Sequence, residues 1–525
     1  MSKKIIVCCD GTWDTSDQRQ SGVPTSSNVV RIYNAAADKA DDGMEQKKYY
    51  HSGVGTEEHW WQRVAGGAMG IGLDKHIKEA YQWLGENYEP EDEIYVFGFS
   101  RGAYTARSLI GMIHTVGLLD LGSVTGQKGR EKVERAYSSY RTGSDADIEE
   151  NEPFSEGKKL PIHFLGVWDT VGALGVPDHM HLLGVLDDPK RYQFFDTQLT
   201  SCVKTARHAV ALDERRASFM PTLWDESAVA QHPDAQQLWF PGVHCDVGGG
   251  YRETGLSDGA LEWMIHQAQA VGLQFRPGIV EEENDKKEVN PNAWDVRHDS
   301  LTGVFAHLRN QPRNAPHFGS EDAKNILHKS SLDRHAYPTI TELNYWSTRV
   351  LEPGQSEETL IDAQKRWNAT GIYIERGARY KLTAVGNWAN GDDETSADGV
   401  GEMRSLSTSL MVHVKHGIEK LTGAVGDWYR QLTDDQHAQL VGTRRDCSHP
   451  WGALIGAVSN GGNPDQDGTP ADHTTFLIGS SRTWPTSGEE DIKSGYLYCY
   501  MNDAWLLYGN NQGSVQLTVK RLDAE

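Results

Sequence analysis

A serine framed by glycines is the best-placed chemical group in this chain, in Tyr95-Val-Phe-Gly98-Phe-Ser100-Arg-Gly102-Ala. The residues before it, Glu93–Phe99, suit a strand buried on both faces, and a helix is expected from Arg101 to about His114. Gly-x-Ser-x-Gly between a buried strand and a helix predicts a sharp, strained turn that displays the hydroxyl as a nucleophile. Glycines at 98 and 102 remove side chains that would collide with the neighbouring strand and helix. The first helical N–H groups, starting with Arg101, then point at a developing oxyanion.

A serine hydroxyl needs a base, and the base needs an acid to orient it; in this kind of fold they follow in the order Ser, acid, His. Asp169 ends the strand-like Phe164-Leu-Gly-Val-Trp168, where a strand releases an acid into a site. His244 lies in a glycine-rich loop after another strand, Phe240-Pro-Gly-Val-His244-Cys-Asp246-Val-Gly-Gly-Gly250. Asp246 is a rival acid, but two residues from His244 it is better suited to steadying the loop. Gly66-Gly-Ala-Met-Gly70-Ile-Gly72 lacks the spacing and the Lys-Ser/Thr ending of a phosphate loop and reads as a close-packed helix start. Trp60 and Trp61 read as core by default, with a cleft lining as the alternative.

The elements that must position these groups alternate over the first 270 or so residues. Strands are expected at Ile5–Cys9, Glu93–Phe99, Ile162–Trp168 and Gln237–Phe240, with helices at Asp74–Asn87 and Gly259–Ala270. This predicts an α/β-hydrolase-like, mostly parallel sheet with helices on both faces, occupying 1–350. Within it, 276–300 is charged and aperiodic and reads as an exposed insertion or lid. A linker is expected at 351–368. From 369 to 525 alternating runs (Gly371–Glu375, Tyr380–Val385, Leu454–Val458, Tyr496–Tyr500, Ser514–Val519) predict an all-β sandwich. An insertion at about 405–432 reads as an amphipathic helix packed on that sandwich, with an interfacial anchor as the alternative.

A length of 525 residues exceeds a single core and implies two or three domains. The net charge of -23 excludes a nucleic-acid surface and disfavours electrostatic adsorption to anionic lipid. Six scattered cysteines, with no paired spacing, point to a reducing compartment. The apolar start is cut by Asp10-Gly11, so no signal peptide is expected and synthesis is expected in the cytoplasm. No stretch approaches transmembrane length.

Several motifs in register carry a resemblance: Cys9-Asp10-Gly11-Thr12-Trp13, Gly98 to Arg107, Gly166-Val-Trp-Asp-Thr-Val-Gly172, His208-Ala-Val-Ala-Leu-Asp-Glu-Arg-Arg216 and Trp239 to Gly250. Together they resemble the α/β-hydrolase family that includes the type VI secretion phospholipase effectors, over roughly residues 1–350. The resemblance implies a Ser100–Asp169–His244 triad cleaving carboxylic esters, with phospholipids the best-known substrates. It places the Asp10-Gly11-Thr12 turn beside the serine, where an N–H of Gly11 or Thr12 completes the oxyanion hole, and a turn cap is an equal reading for Asp10. It also implies export by a type VI-like route, with an immunity or secretion-apparatus protein as partner. The chain departs from the effectors in starting directly on its first strand and in lacking the long C-terminal membrane-anchoring region of some of them.

The C-terminal run Met501-Asn502-Asp503-Ala-Trp-Leu-Leu507-Tyr508-Gly509-Asn510-Asn511, with Ala384-Val-Gly-Asn-Trp388 and Trp451-Gly-Ala-Leu-Ile-Gly456 upstream, resembles the galactose-binding calcium lectins of the PA-IL type. Calcium takes several hard oxygens, and this loop offers the Asp503 carboxylate, the Leu507 carbonyl and the amides of Asn510 and Asn511. The family pattern adds a carbonyl near Gly391. His437 and Gln439 fall near its sugar-contacting positions for a galactose-like sugar, though the spacing fits poorly. The expectation is a lipase or phospholipase with a calcium- and carbohydrate-binding targeting domain. The alternatives are an esterase acting on acylated polysaccharide, and a calcium-dependent carbohydrate-binding protein whose hydrolase domain is a scaffold.

Overall fold

The computed structural model describes residues 2–11, 19–20, 23–53, 73–124, 126–143, 160–172, 199–282, 287–306, 309–400, 444–464, 471–486, 489, 492–505 and 507–523. Six parallel strands form one sheet: β1 (Lys4–Cys9), β2 (Gln46–His51), β3 (Glu93–Phe99), β4 (Ile162–Trp168), β5 (Val203–Ala211) and β6 (Ala235–Phe240). Their spatial order is β2-β1-β3-β4-β5-β6. Every residue of β1 is buried, as a strand covered on both faces requires.

Helices make the two covers. On one side α2 (Leu73–Asn87) turns Leu73, Ile77, Ala80, Tyr81 and Leu84 inward, a three-and-four spacing. It packs with α3 (Arg101–Val116), whose residues Gly102 through Ile113 are all buried, and with α4 (Gln127–Thr142). On the other side α1 (Asn28–Ala35) and α6 (Gly255–Ala270, after the short α5, His244–Gly248) cover Phe97, Phe164 and Trp168. Truncating Ile77 or Leu84 to alanine would cost about 2–5 kcal/mol, because such a packed core relaxes little around a cavity. Chain order reverses between β1 and β3, the place where sheets of this kind open a crevice at their C-terminal ends. Asp10 leaves β1 on one side of that crevice, and Ser100 leaves β3 on the other.

The C-terminal region pairs two antiparallel sheets around a common core that includes Leu382, Trp388, Leu454, Leu497 and Leu517. One holds β8 (Asn368–Ile374), β15 (Gly495–Met501), β12 (Leu454–Ser459) and β13 (Thr474–Leu477), in that order. The other runs β11 (Asp393–Ser396), β10 (Asn387–Asn390), β16 (Asn511–Arg521), β9 (Tyr380–Val385) and β14 (Ser481–Trp484).

One expectation needs correction and another needs refining. The linker expected at 351–368 contains β7 (Ser356–Asp362), which pairs with β16 along its whole length. Its sequence Ser-Glu-Glu-Thr-Leu-Ile-Asp buries only Ile361, so as an edge strand it carries almost no apolar signal. In the stretch expected to be an exposed insertion or lid, the described residues 276–282 and 287–300 expose many side chains but are anchored to the domain. Ile279, Val280 and Val289 are buried in the core under α6, and Asp258 and Gly255 of that helix bond Asn290 and Asn292. The charged residues there mask three anchoring apolar ones. Among the described residues no helix is long and apolar enough to cross a membrane.

Candidate active site

Ser100 occupies the turn from β3 to α3 with φ 57° and ψ -123°, a conformation L-residues seldom adopt. The turn is held from both sides: the Ser100 N–H donates to the Trp168 carbonyl at 3.0 Å, and Val171 N–H donates to the Ser100 carbonyl at 3.3 Å. As N-cap of α3, Ser100 makes no side-chain capping bond, so its hydroxyl is not spent on its own helix. Gly102 is required by close approach, since a Cβ there would lie 2.2 Å from the Cys9 carbonyl oxygen. The N–H groups at Arg101 and Gly102 open a sixteen-residue helix and carry the positive end of its dipole.

Asp169 follows β4 with φ 36° and is fully buried. Its Oδ1 accepts from the Ala211 N–H at 2.9 Å and Arg313 Nη1 at 2.6 Å; its Oδ2 accepts from Arg313 Nη2 at 2.9 Å and His244 Nδ1 at 2.5 Å. Burial alone would raise its pKa. The Arg313 charge and the His244 hydrogen bond outweigh burial and hold the carboxyl well below the usual carboxylate range. An ionised carboxylate only accepts, so His244 Nδ1 carries the proton and Nε2 keeps its lone pair. Burial lowers the pKa of His244 against the pull of Asp169, which keeps the imidazole neutral near pH 7. Phe99, the residue before the serine, lies with its ring 4.6 Å from the imidazole, and Phe219 meets the same imidazole edge-on at 5.0 Å.

His244 is the first residue of α5, and its N–H donates to Glu214 Oε2 at 3.3 Å. Glu214 also takes the Arg216 guanidinium and the Ser300 hydroxyl. Burial opposes its charge, but Arg216 brings its pKa down to about 2. Asp246 bonds His298 Nδ1 at 2.6 Å and the Val243 N–H at 3.0 Å, and no bond to His244 is seen among the described residues. It braces the loop.

The expected oxyanion turn differs. The Gly11 N–H donates to Asp10 Oδ1 at 2.7 Å instead of standing free. A buried carboxylate takes the nearest donors, and Asp10 also gathers the hydroxyls of Ser27 and Tyr50. Burial still pushes Asp10 up to about 6. Thr12, Trp60, Trp61, the Gly66–Gly72 run, His437, Gln439 and the 405–432 insertion lie outside the described residues.

Sequence reasoning missed Arg313, which lies in an irregular stretch with no motif. Glu214 stood inside the quoted His208–Arg216 run, whose acid-arginine pair was the available signal. In the sandwich, Asp503, Asn510 and Asn511 come together where β10 meets β16. Asp503 is fully buried, and its Oδ2, Asn510 Oδ1 and Asn511 Oδ1 are buried without partners among the described residues. Burial pushes Asp503 up to about 6, against the Ala504 N–H and the amides of Asn511 and Asn390. Asn390, which sequence reasoning did not select, receives Asn510 Nδ2 at 3.0 Å. The Gly391 N–H donates to the Asn510 carbonyl and the Leu507 carbonyl accepts from the Asn510 N–H, which draws these residues into one loop cluster. Orphaned hard oxygens around a buried carboxylate fit a calcium ion. Among the described residues no group of three or more His, Cys, Asp or Glu side chains is placed to hold a metal ion.

The uncharacterized protein YEL023C of Saccharomyces cerevisiae is 33% identical, over 68% of this chain and 69% of its own length. A solved uncharacterized protein from Pseudomonas aeruginosa is 20% identical over 52% of this chain and 46% of its own, with TM-score 0.32. The Tle1 effector, solved bound to the VgrG spike of the type VI secretion system, is 19% identical over 48% of this chain and 52% of its own, with TM-score 0.29. The chain thus spans about half the length of these two solved proteins. Residues 3–267 match the family described as the catalytic domain of the type VI secretion phospholipase effectors of the Tle1-like kind. The α/β sheet that carries Ser100, Asp169 and His244 therefore belongs to the Tle1-like phospholipase effector family.

Proposed function

We propose that the chain is a serine hydrolase of carboxylic esters, acting on phospholipid. Ser100 attacks the ester carbonyl, His244 Nε2 takes its proton and returns it to the leaving alcohol, and Asp169 orients the imidazole and offsets its charge. The N–H of Arg101 at the start of α3 receives the oxyanion. The observation that carries this reading is the 2.5 Å contact between His244 and Asp169, whose neighbour Trp168 holds the strained Ser100 turn. Phospholipid comes from the family, as does delivery by a type VI route with a secretion-apparatus partner.

In the sandwich, calcium would be held by Asp503, Asn510 and Asn511, with the Leu507 and Gly391 carbonyls at the rim. Bound there, it supplies open coordination positions for sugar hydroxyls and so a means of targeting.

Fluorophosphonate labelling and a panel of phospholipids and acylated glycans test the enzyme. Ser100→Ala should abolish labelling and lower hydrolysis by at least about 10³-fold. Labelling that survives the mutation would sink the assignment of Ser100. Cleavage of acetylated glycan in preference to phospholipid would turn the reading to a polysaccharide esterase. No cleavage and no labelling would leave a scaffold for a carbohydrate-binding domain.

A further inference from the structure

Asp169 is held by an arginine from outside the sheet, and that arginine is held in turn by the other domain. The guanidinium of Arg313 grips both carboxylate oxygens and also donates to the Ala211 and Phe219 carbonyls, each at 2.6 Å. Its Nε has no partner among the described residues, so its aim depends on the two terminal nitrogens and on where the backbone sits. Residues 309–318 belong to no helix or sheet, so most of their backbone bonds must come from elsewhere.

The sandwich supplies many of them. Trp367 Nε1 donates to the Asn310 carbonyl at 2.8 Å, His473 Nε2 to the Pro312 carbonyl at 2.8 Å, and Ser459 Oγ to the Arg313 carbonyl at 2.7 Å. Tyr496 takes the Phe318 N–H at 3.2 Å. His473 Nδ1 accepts from the Gly461 N–H, which leaves Nε2 as the proton-bearing donor, and burial keeps this imidazole neutral. A second tie reaches the same place: the Asn463 amide bonds both the N–H and the carbonyl of Leu223, a short way from Phe219, whose ring touches His244.

Given the roles assigned above to Ser100, Asp169 and His244, we propose that the C-terminal sandwich is a structural part of the hydrolytic site, fixing the backbone at residues 312–313 through His473 and Ser459 so that Arg313, as a positioning residue, aligns Asp169. A carboxylate gripped at both oxygens cannot rotate, and Oδ2 stays on His244. The charges acting on this pair are Arg313 on Asp169 and Arg216 and Glu214 on His244; burial, with Arg107 nearby, keeps the neighbouring His208 neutral.

The test uses the full chain, with kcat and KM on a short nitrophenyl ester and the rate of fluorophosphonate labelling. Arg313→Lys keeps the charge but cannot grip both oxygens; it should lower kcat by about 10–100-fold with KM within about twofold. Arg313→Gln removes the cation and should shift the acid limb of kcat/KM to higher pH, while the lysine variant leaves it in place. Ser459→Ala, remote from the chemistry, should lower kcat and labelling by about 3–10-fold. Tyr380→Phe removes a comparable sandwich hydrogen bond, to the Glu375 N–H, and should lower the melting temperature without changing kcat.

If Ser459→Ala behaves like Tyr380→Phe, with lower stability and unchanged labelling, the proposal fails while the Ser100 mechanism stands. If the wild-type chain is not labelled, the mechanism fails and the proposal with it. Should the Arg313 variants not fold, the Ser459 and Tyr380 pair decides alone.

Discussion

Two buried aspartates, one in each domain, have opposite fates. Asp169 is surrounded by four donors and stays ionised, whereas Asp503 has one oxygen without a partner among the described residues and a pKa raised to about 6. Burial is equally severe for both, since neither side chain meets solvent. The difference lies in what the chain itself provides. A carboxylate completed by an arginine and a histidine is a finished internal pair, and its removal leaves a cation stranded. One held only by a backbone N–H and side-chain amides lacks positive charge, which the proposed calcium would supply.

The largest effect that can break this contrast is on activity. Asp169→Asn should lower kcat by about 10³–10⁴-fold, as the neutral amide no longer fixes the imidazole tautomer. It should also destabilise the fold by about 3–5 kcal/mol, because Arg313 stays buried without its counter-charge. Steady-state kinetics and chemical denaturation measure the two. A loss under tenfold in kcat would sink the role given to Asp169.

Next in size is calcium. Titration calorimetry should give a binding isotherm for wild type and none for Asp503→Asn, a loss of at least about 100-fold in affinity. Without calcium the sign reverses, because the folded-state pKa of Asp503 is raised. Its contribution to stability is fully present below the ordinary value of 3.8 and is lost as pH rises through about 6. Above pH 6 in chelator the asparagine variant should therefore be more stable than wild type, by about 2–3 kcal/mol. Asp169 runs the other way: its pKa is depressed, so its contribution holds above the ordinary carboxylate range and is lost as pH falls below it. Parallel pH slopes for the two asparagine variants would erase the contrast. The smallest step is Asn510→Ala, which removes one ligand of several and should weaken calcium by about tenfold.

Much of the catalytic sheet was legible in the sequence because its elements follow period. Ile5–Cys9, Glu93–Phe99 and Ile162–Trp168 are continuous apolar runs, and each is a strand at nearly those bounds. Two strands gave no such sign. Val203–Ala211 carries Arg207 and His208, which are buried only because Gln267, Asp234 and Gln237 satisfy them. Gln46–His51 is an edge strand of lysines and tyrosines. The placement of Ser100 and Asp169 at strand ends and of His244 just after a strand was readable from sequence, since glycines and strand ends mark where side chains can be displayed. Arg313 was not, because its partner lies 144 positions away and its stretch has no regular structure. Local pattern reports how a segment folds, and a buried ion pair is a property of two segments at once.

The matched family domain stops at residue 267, whereas Arg313 and the strands that steady it come later. If the proposal for Arg313 holds, a lineage that exchanged its sandwich for another module would inherit a loosened Asp169 along with it. On the proposed role of Arg313, the two halves would drift together, each change at Ser459 or His473 being screened by the rate of the reaction proposed for the other half.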